Sequence, residues 1–87
     1  MPVYLVERDL PGITLTQLTA SRRAARAMCE SFVADGQPVR YLRSIFVPGE
    51  SRCLCLFEAP TAERVQEVNE AAQIPYNRII TALDLDQ

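Results

Sequence analysis

The twenty residues Val39-Arg-Tyr-Leu-Arg-Ser-Ile-Phe-Val-Pro-Gly-Glu-Ser-Arg-Cys-Leu-Cys-Leu-Phe-Glu58 decide how this chain folds. Two strand-length runs, Val39–Val47 with its Val, Ile, Tyr and Phe and the apolar Arg52–Glu58, flank Pro48-Gly49-Glu50. That pattern reads as an antiparallel hairpin with a loop longer than two residues. Working back toward the N-terminus, Asp35-Gly36 ends a helix, with Gly36 suited to the left-handed C′ position. Thr14 and Gln17 have the spacing of a capping box, so that helix starts after Thr14. Leu18, Ala25, Met28 and Phe32 form its apolar stripe, and Arg22, Arg23, Arg26 and Glu30 its wet face. Before it lies the turn Asp9-Leu10-Pro11-Gly12 and a first strand, Val3–Arg8. Working forward from the hairpin, Pro60-Thr61 stops the third strand and caps a second helix, where Glu63 suits the dipole. Val65, Val68 and Ala72 make its stripe. Pro75 forbids its continuation, leaving Ile74 as the last buried residue before a strand over Arg78–Leu85.

The order is βαββαβ, the split-βαβ or ferredoxin-like arrangement. The reading is therefore one α+β domain, residues 1–87, with two helices on one face of a four-stranded antiparallel sheet. Strict alternation sorts the hairpin into two faces. Leu42, Phe46, Leu54 and Leu56 fall on one, and Tyr41, Arg43, Ile45, Cys53, Cys55 and Phe57 on the other. Because Arg43 sits mid-strand on the second face, the Leu/Phe face is assigned to the helices. The second face is still too apolar for water, which points to a homodimer contact or a ligand groove.

Composition removes several chemistries. The 87 residues carry net charge −2, and no block of basic residues speaks for nucleic acid or an anionic membrane. All nine cations are Arg, a usage that base composition also produces, and His is absent. No side-chain Schiff base can form without Lys, and His-dependent triads are excluded. RNA-recognition domains share this topology but set their aromatics in basic surroundings. No Gly-rich phosphate loop is present. The N-terminus lacks the basic and long apolar regions of a signal peptide, and no run approaches the ~20 apolar residues of a membrane span. The three cysteines are then expected as free thiols in a reducing cytoplasm.

Cys53 and Cys55 point to the same side of one strand, with Cα atoms roughly 6.5–7 Å apart, which disfavours a disulfide. Either they are small buried hydrophobes or, with a second pair from a partner subunit, a soft-metal site. Cys29 reads as core. Pro2 would supply a prolyl amine base if Met1 were removed. Glu7 and Glu58 end neighbouring strands, where carboxylates are usually solvated or matched with Arg. Asp84 and Asp86 are assigned no role.

The segments Met-Pro-Val-Tyr-Leu-Val-Glu-Arg (1–8), Val-Arg-Tyr-Leu-Arg-Ser (39–44), Cys-Leu-Phe-Glu-Ala-Pro (55–60) and Ile-Pro-Tyr-Asn-Arg-Ile (74–79) resemble a bacterial family of small ferredoxin-like proteins. One of its members is described as nickel-binding. The resemblance spans essentially the whole chain and implies a ferredoxin-like dimer. Its members often carry His where this chain has Arg43 and Asn69. A permanently protonated Arg cannot ligate a metal, so an imidazole-built nickel site does not transfer and no metal ligand is assigned.

The resemblance does transfer a location: Glu7, Tyr41, Arg43, Cys55, Phe57 and Asn69 become the expected ligand-binding residues. The leading expectation is a non-catalytic homodimer holding a small ligand or ion on the sheet face away from the helices, with Arg43 taking an anion or carboxylate. No cofactor, nucleic acid or membrane partner is expected. An alternative is a His-independent isomerase or cyclase with Glu7 as base and Tyr41 or Arg43 as polariser. It requires Glu7 in an apolar cavity with a raised pKa. A further alternative is metal binding through the cysteines, and a last one a purely structural interaction module.

Overall fold

The computed structural model describes residues 1–86. The elements run β1 (Val3–Asp9), α1 (Leu15–Ala34), β2 (Arg40–Val47), a single 3₁₀ turn (Pro48–Glu50), β3 (Arg52–Glu58), α2 (Ala62–Ala71) and β4 (Arg78–Ala82). The strands form one sheet in the order β2-β3-β1-β4, with every neighbouring pair antiparallel. This is the ferredoxin-like α+β fold expected from the element order.

Local chemistry sets the boundaries. Thr14 Oγ1 accepts from the Gln17 backbone N–H at 3.1 Å, and Gln17 Oε1 accepts from the Thr14 N–H at 3.0 Å. The capping box is therefore complete and satisfies two donors that the first turn of α1 would leave open. Thr61 Oγ1 caps α2 through the Arg64 N–H at 3.2 Å. Gly36 follows α1 at φ +77, a conformation that costs other residues a steric penalty. β4 stops at Ala82, three residues short of the expected Leu85. Its last pairing is Ala82 with Val3, the first residue of β1. Leu83 and Leu85 have no facing strand there and are 84% and 87% exposed.

The face assignment is inverted for Tyr41, Cys53, Cys55, Phe57, Leu54 and Leu56, whereas Arg43, Ile45 and Phe46 lie on the sides expected. Rows Tyr4–Phe57–Tyr41, Val6–Cys55–Ser44 and Arg8–Cys53–Phe46 cross the sheet on the helix side. Of these, Tyr4, Val6, Arg8, Tyr41, Cys53, Cys55 and Phe57 are buried. The opposite side carries Leu5, Glu7, Leu54, Leu56 and Ile45, and Ile45 is 56% exposed. The cause is a β-bulge at Leu42: Tyr41 pairs with Phe57, but Arg43 pairs with Leu56. One extra residue on β2 moves Arg43 off Tyr41's face. Freed of Arg43, the Tyr41/Cys53/Cys55/Phe57 row is apolar enough to be core, joined by Val39, Val65, Val68 and Ile74. Phe46 packs against that core rather than beside Leu54 and Leu56.

The α1 stripe is as expected, with Leu18, Ala25 and the added Cys29 buried and Met28 and Phe32 packed against the core. Among the described residues, no helix is long and apolar enough to cross a membrane.

Candidate functional site

β1 places three alternate residues, Tyr4, Val6 and Arg8, against the helices, so the third of them buries a guanidinium. Arg8 is only 3% exposed. Its Nη2 donates to Asn69 Oδ1 at 2.5 Å, its Nη1 to the Pro75 carbonyl at 3.1 Å, and its Nε to Cys55 Sγ at 3.4 Å. None of these partners is a carboxylate. A buried cation costs several kcal/mol unless a negative charge faces it, and the group positioned to supply one is the thiol.

Cys55 Sγ is the point on which donors converge. Besides Arg8, Ser44 Oγ donates to it at 3.0 Å, and the Cys53 sulfur lies 3.6 Å away. Behind Ser44, Tyr41 Oη sits 2.5 Å from Ser44 Oγ and accepts from Arg22 Nε at 3.1 Å. With Arg22 donating to Tyr41 and Ser44 donating to Cys55, the Tyr41 hydroxyl donates to Ser44. The chain of donors thus runs Arg22, Tyr41, Ser44, Cys55. The Arg26 guanidinium lies 5.2 Å from the Tyr41 ring centroid, and Phe57 meets that ring edge-on at 5.5 Å.

These contacts separate the two thiols. The hydrogen bond from Cys53, the Arg8 charge and the Ser44 hydroxyl lower Cys55 to about 5, against the desolvation that burial imposes. The same Cys53–Cys55 bond, together with burial, pushes Cys53 up. The pair shares one proton, held on Cys53. Cys29, by contrast, is raised to about 11 by burial and lies outside this cluster.

A small cavity of about 10 Å³ adjoins the pair, lined in part by Arg8, Leu18, Ser21, Ala25, Cys53 and Cys55. It exists because α1 presents Ser21 and Ala25 over the thiols. Its volume is about that of one water-sized body.

The six expected site residues divide between the faces. Tyr41, Cys55, Phe57 and Asn69 come together beneath the helices, and Asn69 is fully buried on α2, its Nδ2 donating to the Val65 carbonyl at 2.8 Å. Glu7 and Arg43 lie on the open face. Glu7 is bound by Arg78 at 2.5 and 3.2 Å, and that hydrogen bond holds its carboxyl below the usual carboxylate range. A raised-pKa base beside Tyr41 is therefore not what Glu7 provides. Arg43 meets Asp84 at 2.6 Å, and the Asp84 side chain is 3% exposed. Asp84, assigned nothing from the sequence, is thus Arg43's partner. Glu58 pairs with Arg40 at 3.3 Å. Glu7 faces Leu54 and Glu58 faces Val3, which sets the two carboxylates at opposite ends of the β1–β3 pair.

Among the described residues, no group of three or more His, Cys, Asp or Glu side chains is placed to hold a metal. Arg8, Ser44 and Arg22 belong to the cluster around Cys55 and were not among the expected site residues. The available signal was period-two spacing, which sets Arg8 in phase with Tyr4 and Val6; the β1–β3 register sets it opposite Cys53.

No curated protein matches the chain by sequence. Among solved structures it is similar to SCO4226 from Streptomyces coelicolor A3(2), with a TM-score of 0.77 and 27% identity over 92% of this chain and 94% of that one. The profile of the family described as nickel responsive protein SCO4226-like matches residues 4–81. That match covers nearly the whole fold, and the chain belongs to the SCO4226-like nickel-responsive family.

Proposed function

We propose that this chain is a non-catalytic binding protein whose seat is the Cys53/Cys55 pair beneath α1, and whose ligand is a single thiophilic ion. One observation carries the reading: two sulfurs 3.6 Å apart face a buried guanidinium beside a void the size of one water. An organic substrate or metabolite does not fit that void. A bare ion needs only the room its ligands leave, and soft thiolates are the side chains that select soft metals.

Nickel itself does not fit the residues present. The chain has no His. Arg43 and Asn69 lie on opposite sides of the sheet, with the Arg43 guanidinium held by Asp84 and the Asn69 amide engaged by Arg8 and Val65. Two thiols alone fall short of the four or more donors that divalent ions of this kind take.

The test is native mass spectrometry of reduced, chelator-treated protein after exposure to a panel of silver(I), copper(I), zinc and nickel. We expect one ion per chain, retained in Cys29→Ser and lost in the Cys53→Ser/Cys55→Ser double variant. Retention of no ion, or equal retention by the double variant, would overturn the reading.

The open sheet face suggests how the chain assembles. Leu5, Leu54, Leu56 and Ile45 form an apolar strip, flanked by the pairs Glu7–Arg78, Arg40–Glu58 and Arg43–Asp84. A strip of this kind with both signs of charge at its rim is self-complementary about a two-fold axis. We propose that a second copy of the chain covers it.

A further inference from the structure

We infer that the ion seat between Cys53 and Cys55 is selective for a monovalent, two-coordinate soft cation of the copper(I) or silver(I) type, and that Arg8 sets this selectivity by charge. The inference rests on the thiol-pair reading above and adds the class of ion and the residue that chooses it.

Donor count comes first. Two sulfurs converge, and no third His, Cys, Asp or Glu joins them among the described residues. The other neighbours are Ser44 Oγ, already donating to Cys55, and Arg8, which has no lone pair to give. Divalent zinc or nickel would be left with open positions in a cavity of about 10 Å³. A two-coordinate ion is complete with the pair alone.

Charge decides the rest. Arg8 contributes one positive charge, buried and without a carboxylate partner. Metal ligation deprotonates both thiols, so the pair contributes two negative charges. A monovalent ion brings the seat to neutrality, whereas a divalent ion leaves one uncompensated positive charge in a desolvated place. The exchange is balanced: the Cys53 S–H bond breaks, two sulfur–metal bonds form, one to the Cys55 thiolate and one to the newly deprotonated Cys53, one proton leaves to solvent and no electron moves. Metal–sulfur bonds of roughly 2.3 Å require the sulfurs to part by about 1 Å for a linear ion. Rotation about χ1 of either cysteine into the adjoining void supplies that movement.

The experiment is an anaerobic competition of the full chain against colour-forming chelators for copper(I), silver(I), zinc and nickel. It is run on the wild type, Arg8→Lys and Arg8→Met. Wild type and Arg8→Lys are expected to prefer the monovalent ions by about a hundredfold or more, because one uncompensated buried charge separates the cases. In Arg8→Met the preference should swing toward zinc, since the neutral seat now suits a divalent ion. If Arg8→Met does not fold, the wild-type and Arg8→Lys selectivities decide alone. Tighter zinc or nickel in the wild type overturns the charge argument and leaves the thiol seat standing. An Arg8→Met variant that folds and keeps the monovalent preference also overturns it. No ion held at all overturns both.

Discussion

The sulfur of Cys55 carries the charge that Arg8 needs, and this makes the stability of the fold depend on pH in a defined direction. Its pKa falls on folding from the ordinary thiol value of 9.0 to about 5. A group depressed in this way stabilises the native state fully above pH 9. The contribution shrinks as the pH falls through that window and is gone below about 5. Metal-free protein should show native thiolate ultraviolet absorbance that titrates near pH 5, with the unfolding temperature declining alongside it. Titration near 9 in the native state would refute the Arg8–Cys55 pairing. Ser44→Ala removes one donor and should move that midpoint upward. Arg8→Met strips the cation from the pair and should cost roughly 3–5 kcal/mol in denaturant unfolding, the usual cost of leaving one buried partner alone. None of this was legible in composition. Arg8 reads as a strand-exit charge until the register sets it against Cys53.

Elements were legible where the signal was local. Caps, turns and helical stripes are written in neighbouring residues, and both helices begin where Thr14 and Thr61 place them. Thr14→Ala should cost about 1 kcal/mol, read by thermal unfolding. The bulge left no such trace, because Leu42 is not a Gly and its neighbours alternate plausibly without it. One misplaced residue was enough to group Arg43 and Ile45 with Tyr41, Cys53 and Cys55, and so to turn Tyr41 and both thiols away from the helices. This yields a sharp comparison. Deleting Leu42 leaves Tyr41, Ser44 and Phe46 toward the helices and Arg43 and Ile45 away from them, so the strand becomes regular with its faces preserved. Deleting Ile45 instead turns Phe46 outward. The Leu42 deletion should therefore fold and unfold at the higher temperature of the two. The reverse ranking would mean that the irregular pairing at 41–43 does not set the faces.

At the scale of the molecule, the order of elements fixed the architecture, while which face the helices cover depended on pairing between distant strands. The open face carries the prediction about assembly. Ile45→Glu with Leu54→Glu should convert a dimer to a monomer in sedimentation equilibrium while leaving the circular dichroism spectrum unchanged, since neither residue belongs to the core. A dimer that persists would place the contact elsewhere. The strand order has one more consequence. β1 and β3, which carry Arg8 and the two cysteines, are the inner strands of the sheet, paired on both sides. The thiols lie beneath Leu18, Ser21 and Ala25 of α1, so that helix has to lift before anything from solvent reaches them. Loading of the proposed ion seat would then be a matter of waiting: its rate should level off as ion concentration rises, at the frequency with which α1 opens. An ion in the proposed seat would escape on the same clock, long after the supply outside has gone.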